Sequence, residues 1–219
     1  MMRVLILGAG GHAQVVADIL LEMAAHTCDV EPVGFLDDDP GLFGRNFLGL
    51  PVLGAIDKVH EVHHDALVIG VGDNAKRKSI FDRMRDHGER FAIARHPDAT
   101  IARDVRIGDG TVFCAGTVVN TQTVIGANVI LNTGCTIDHH NMIGDHVHIA
   151  PGSHLGGQVD VAGGAFVGIG ATVIPQCRIG AWAIVGAGAV VIKDVPETST
   201  VVGVPAHILY RAEIERDGN

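Results

Sequence analysis

Five of the chain's 13 histidines stand between His139 and His154, most of them in the stretch "TIDHHNMIGDHVHIA" over residues 136–150, where Asp138 and Asp145 sit beside them. Imidazole titrates near neutrality and also ligates metals. Such a run can therefore move a proton, hold a cation, or be a solvated polar stripe. A second constellation lies at the start of the chain, where "GAGGHA" places Gly8, Gly10, Gly11 and His12 directly after an apolar run. Glycines at a strand-to-helix turn let a phosphate approach free backbone N–H groups and the positive end of a helix dipole. Which chemistry either set performs depends on the elements that hold it.

The bulk numbers narrow the field. The 219 residues are 47 % hydrophobic, enough for one large domain or two modest ones. Aromatics are only 4 % and glycines number 29, which favours an architecture of many tight repeated turns. A net charge of −9 without a basic stripe argues against sequence-independent nucleic-acid binding. Cys28, Cys114, Cys135 and Cys177 lie far apart without CxxC spacing, and "MMRVLILGAGGHA" has no leader-like pattern. The expectation is a reduced, cytoplasmic protein with no membrane span.

From Ile101 onward an apolar residue recurs every six positions through Val191, sixteen hexads in one register. Four residues after each anchor stands a small residue, a Val or, once, Asn141, from Val105 and Thr111 through Cys135 to Val195. Both columns are expected to point inward. A period of six suits a solenoid with one short strand per flat face. Gly, Asn or Asp follows most anchors, as at Gly108, Asn120, Gly126, Asp138 and Gly144, and these are expected to provide corners of positive φ.

Residues 1–97 have another grammar. The strand "RVLILG" leads into the helical pattern "HAQVVADILLEM", then a strand "PVGFLDDD", an apolar run "ALVIGVGDN" and a charged helix "AKRKSIFDRMRDHG". Strand alternating with helix predicts a small parallel α/β, Rossmann-like unit. Gly8, Gly10 and Ala13 match GxGxxG/A, and Asp37 and Asp38 end the second strand near the usual ribose position. Fewer than 100 residues make about half a dinucleotide fold, so a mononucleotide suits it better than NAD. Gly10, Gly11, His12, Asp37, Asp38 and Asn74 are its candidate contacts.

The hexads of residues 101–206, ending in "VVGVPAHIL", resemble the hexapeptide-repeat acyltransferases. "GAGGHA", "GFLDDD", "VGDN" and "IAPGS" extend that resemblance, over almost the whole chain, to the bacterial sugar acetyltransferases. That group includes N-acetyltransferases of nucleotide-linked 4-amino-4,6-dideoxysugars and the sialic-acid O-acetyltransferase type. The resemblance implies a left-handed parallel β-helix over residues 98–219 with three hexads per coil and a short C-terminal tail. It further implies a homotrimer with sites at subunit interfaces, acetyl-CoA as co-substrate with no metal, and a UDP- or GDP-linked amino sugar used in glycan or lipopolysaccharide assembly.

Within it, "DHHNMIG" resembles the family's "EHxxxIG", which assigns the general base to His139. The usual following acid is replaced by His140, so Asp138 and His140 both remain candidates for orienting the ring. A second family histidine, near the thioester carbonyl, aligns with His148. Register adds Gly157, one coil of 18 residues beyond His139, whose N–H could meet a thioester oxygen and whose missing side chain could leave room for the pantetheine arm. Ile169 and Ala187, on another corner, are expected to line the pantetheine groove, from the same or a neighbouring subunit. Cys135 reads as core filler, and no GxSxG or Cys/His signature suggests an acyl-enzyme.

Other readings stand beside this one. The γ-class carbonic anhydrases use a similar helix, with two histidine ligands five residues apart; here Gly144, Asp145, Pro151 and Ser153 stand five residues after His139, His140, His146 and His148. A sugar O-acetyltransferase needs the same base, and a non-catalytic nucleotide-sugar scaffold would not.

Overall fold

The computed structural model describes residues 1–27 and 29–209; Cys28 and the tail from residue 210 lie outside the described residues. The N-terminal unit comprises β1 (Met2–Leu7), α1 (Gly11–Thr27), β2 (Val30–Leu36), β3 (Asn46–Phe47), β4 (Leu50–Gly54), β5 (Ala66–Ile69) and α2 (Asn74–Asp86). Its sheet runs β3-β4-β2-β1-β5, and only the β3–β4 pair is antiparallel. Val4 to Leu7 are fully buried, because β1 is covered on both faces and so reads as a continuous apolar run. α1 turns Ala13, Val16, Ala17 and Leu20 toward it. The β3–β4 hairpin has no clear signal in the residue pattern. Pro51 and Gly54 disguise its second strand, and its two-residue turn puts Leu48 at φ 54° beside Gly49 at φ 82°, where Asn-Gly would be the readable signal.

β6 (Ala94–Arg95) pairs with Val112–Phe113, so the solenoid begins beneath the α/β unit. From Thr100 to Val191 a two-residue strand recurs every six positions, and each as far as Thr172–Val173 pairs in parallel with the strand 18 residues on, as Thr136 with His154. Three flat faces result. The first runs from Thr100–Ile101 to Val190–Val191, the second from Arg106–Ile107 to Arg178–Ile179, and the third from β6 to His207–Ile208. Both predicted columns point inward, and their members pack into one core. Polar members of the inner column meet carbonyls instead of water: Asn141 Nδ2 donates to Gly156 O at 3.0 Å, and Ser153 Oγ to Gly168 O at 2.8 Å.

The corner expectation is corrected. Positive φ falls three residues after the anchor, at Gly110, Gln122, Asn128, His140, His146 and onward, not one residue after it. The glycines that follow anchors serve a different need. A Cβ on Gly108 would lie 2.5 Å from Ala127 N, and one on Gly180 would collide with the backbone of Glu197, so consecutive coils touch there.

The α/β unit packs on the third face, where Val112 and Cys114 join the core formed by Val4, Ile6 and Val68. No helix among the described residues is long and apolar enough to cross a membrane.

Candidate functional site

His139 and His140 form the corner between the first face and the second, just after the strand Thr136–Ile137. The Asp138 carboxylate does not touch the His139 ring. Its Oδ1 accepts from the His139 backbone N–H at 2.8 Å and from Asn120 Nδ2 at 3.0 Å, which fixes the entry to the corner. The ring is met by His140, with the two Nδ1 atoms 3.1 Å apart and the rings edge to face. Left-handed backbone at His140, φ 60°, turns its side chain back toward its neighbour.

Gly157 lies under the same ring. An ideal Cβ there would fall 2.5 Å from His139 Cε1 and 2.8 Å from Nε2. The imidazole of its own chain thus fills the space that the missing side chain leaves, which the register expectation gave to a pantetheine arm. His139 Nε2 has no hydrogen-bond partner among the described residues, and the ring is exposed.

Ile169 and Ala187 stand one coil apart on the corner between the third and first faces, joined by the Gly188 N–H donating to Ile169 O at 2.8 Å. Both are exposed, Ile169 by 61 %. Within one chain this apolar edge and the His139 corner occupy opposite margins of the first face.

His148 belongs to the third face, under the α/β unit, and is 8 % exposed. Its ring lies 6.2 Å from that of His12 and edge-on to Phe166. Nδ1 faces the Gly72 carbonyl at 3.3 Å, and Nε2 faces Asn132 Nδ2 at 3.2 Å. Burial, with the nearby Arg77 cation, pushes His12 down to about 4, and the same causes with His12 added push His148 down to about 3. Both imidazoles are neutral at physiological pH.

In the glycine turn, Gly8 has φ 98° and requires glycine. Side chains at Gly10 or Gly11 would meet open space, so neither strain nor packing calls for glycine there. Gly70 is held to glycine by the start of α1, since a Cβ there would lie 2.6 Å from the Ala13 Cα. Asp37 accepts from Ala9 N–H at 2.7 Å and from Asp39 N–H at 2.9 Å, tying the turn to the end of β2, while Asp38 accepts from Ile56 N–H at 2.9 Å. Asn74 faces away from the turn and donates to the Gly164 and Ala165 carbonyls, both at 3.0 Å.

Sequence reasoning missed Arg77 and Asn132. Arg77 reads as one cation in a charged helix, yet it is 1 % exposed, and contacts this distant in sequence leave no local signature. Among the three described cysteines, burial raises Cys114 to about 11 and Cys135 to about 12, which leaves both thiols protonated and poor nucleophiles. No group of three or more His, Cys, Asp or Glu among the described residues is arranged to hold a metal ion.

Fold and site together define a left-handed parallel β-helix protein carrying an α/β unit at its N-terminus, with a histidine pair on one helix corner. Residues 3–84 match the PglD N-terminal domain. The chain is similar to the GDP-perosamine N-acetyl transferase of Caulobacter crescentus, solved with CoA and GDP-perosamine as a variant with one histidine replaced by alanine. The two are 39 % identical, with a TM-score of 0.88 over 95 % of this chain and 97 % of that one. The acetyltransferase domain of PglB from Neisseria gonorrhoeae, in complex with acetyl coenzyme A, is 33 % identical, with a TM-score of 0.87 over 95 % and 99 % of the two chains. The UDP-N-acetylbacillosamine N-acetyltransferase of Bacillus subtilis is 37 % identical over 118 residues, 52 % of each chain. The chain spans less than two thirds of the length of the curated relatives it matches first. It belongs to the hexapeptide-repeat nucleotide-sugar acetyltransferase family.

Proposed function

We propose that the protein transfers the acetyl group of acetyl-CoA to the 4-amino group of a nucleotide-linked 4-amino-4,6-dideoxysugar, GDP- or UDP-linked, with His139 as general base. The observation that carries this reading is the His139 ring, laid over Gly157 and held at Nδ1 by His140, with Nε2 directed to no partner among the described residues. The amine nitrogen attacks the thioester carbonyl, Nε2 takes the amine proton, and collapse of the tetrahedral adduct breaks the C–S bond and releases CoA. No acyl-enzyme is formed. The neighbour complexes with CoA and GDP-perosamine support both substrates, and the histidine replaced in two of those structures supports a functional imidazole in such a site.

Gly10, Gly11 and His12 at the start of α1 suit a diphosphate, because two glycines that neither strain nor packing requires give a ligand access to the backbone. Asp38, exposed with one oxygen uncommitted in the described contacts, suits the nucleoside. Ile169 and Ala187 suit the pantetheine arm. Because that edge and His139 lie at opposite margins of one face, a complete site needs a neighbouring copy, in keeping with a homotrimer. Sedimentation is expected to give a mass of three chains, and an active monomer would overturn the shared site. The reaction itself is tested with acetyl-CoA and a panel of GDP-, UDP- and dTDP-linked 4-amino-4,6-dideoxysugars. Thiol release together with product heavier by one acetyl group is expected for a GDP or UDP member. Acetylation of a sugar hydroxyl instead would replace this reading with the O-acetyltransferase.

A further inference from the structure

Arg77 donates to carbonyls of both domains and meets no carboxylate among the described residues. Its Nη1 reaches Val71 O and Gly72 O, both at 3.2 Å, on the loop before α2. Its Nε reaches Asn128 O at 3.1 Å and its Nη2 reaches His146 O at 2.7 Å, on the β-helix. The planar fork of a guanidinium can span such a set, and an ammonium cannot. The Gly72 carbonyl that Arg77 holds is the one that faces His148 Nδ1.

At the other end of that ring the donor roles are fixed by the backbone. The Thr133 N–H donates to Asn132 Oδ1 at 2.8 Å, so the amide nitrogen of Asn132 is the atom that faces His148 Nε2. An amide nitrogen only donates, so Nε2 must accept. The single proton of a neutral His148 then lies on Nδ1, directed at a carbonyl that only accepts. We infer that Arg77 is a positioning residue: through the Gly72 carbonyl it holds His148 in the Nδ1–H form, leaving that ring no N–H for an acyl oxygen. The strong depression of His148 by burial and by Arg77 agrees, since an imidazolium would carry a proton on Nε2 against the Asn132 amide. The alignment expectation that His148 meets the thioester carbonyl is therefore recast. His148 supports the wall between the α/β unit and the helix, and any donor to the acyl oxygen is another group. Asp73 at the start of α2, His12 beside His148, and His146 with Lys78, Asp82 and Asp145 around it are further titratable groups along this seam.

The catalytic consequence rests on the acetyl-transfer reading, but the state of the ring does not. Nitrogen-15 spectra of the histidine rings in the full-length protein report tautomer and charge directly. His148 is expected as a single neutral Nδ1–H species from about pH 5 to about pH 8, a range over which a free imidazole would titrate. In Arg77→Lys, which keeps the charge and loses the fork, a mixture of tautomers is expected, with kcat lower by about tenfold or more and the KM for acetyl-CoA little changed. An Nε2–H species in the native protein, or a folded Arg77→Lys whose His148 signals do not move, overturns the inference. Should Arg77→Lys fail to fold, Asn132→Leu at the half-buried corner removes the donor to Nε2. The ring should then populate both tautomers, and unchanged signals would again overturn it.

Discussion

Two imidazoles whose Nδ1 atoms stand 3.1 Å apart cannot both donate, so His139 and His140 share one proton between them. If Nε2 of His139 is to accept a proton from an amine, its Nδ1 carries the shared hydrogen and His140 accepts it. A neutral imidazole stabilises the resulting cation less than a carboxylate does. Replacement His140→Glu should therefore move the acid limb of the kcat/KM profile to higher pH, because a carboxylate favours protonated His139; an unmoved limb would mean that His140 does not act on the base. Gly157→Ala should push the ring aside, since its Cβ would fall 2.5 Å from Cε1. The histidine is exposed, so the expected loss is in kcat, by about 10- to 100-fold, with the melting temperature nearly unchanged. Full activity in that variant would show that ring placement over Gly157 is irrelevant.

At the scale of elements, the coils impose two demands that a sequence expresses differently. Close approach between coils excludes any side chain at Gly108, whose Cβ would lie 2.5 Å from both Ala127 N and Gly126 C. Gly108→Ala should cost about 1–3 kcal/mol by overpacking. Thr198 instead sits at φ 55°, a poor conformation for a β-branched residue, and Thr198→Gly should raise the thermal midpoint modestly. Thermal unfolding of the pair checks both signs. The hexad register was legible from Ile101 to Val191 because each anchor faces an enclosed core. The left-handed position was not, because Gln122, His140, His146 and Trp182 share it with glycines such as Gly110 and Gly134, while glycine recurs just as often directly after the anchors. The β3–β4 hairpin was hidden for a related reason, with Leu48 in the turn position where a glycine or asparagine would have announced it.

At the scale of the molecule, the seam between the domains is where sequence reading ran out. The two domains could be told apart by their periodicities, yet nothing in either pattern brings Arg77 to His146, 69 positions away, or Asn74 to Gly164, 90 positions away. His139 was legible through the resemblance of its segment and Gly157 through the 18-residue register; the burial of His12 and His148 was not. That burial has a measurable cost at low pH. An unfolded histidine titrates near 6.5, whereas folded His12 and His148 do so at about 4 and about 3. Between those values the unfolded chain binds protons that the folded chain refuses, so stability is full above about pH 6.5 and falls as pH drops toward 4. Denaturant midpoints should decline over that window, and His148→Gln should remove up to about 1.4 kcal/mol per pH unit from the slope. An identical slope in the variant would mean that His148 is not buried neutral.

The most direct test of the whole account compares kcat of the native protein and His139→Ala with acetyl-CoA and the amino-sugar nucleotide that the panel identifies, alongside calorimetric binding of that nucleotide sugar. The account predicts a fall of about 10²–10⁴ in kcat, as for loss of a general base, with binding little changed. A variant that turns over within a few-fold of the native protein would contradict it, and the proton would then have to leave by another route.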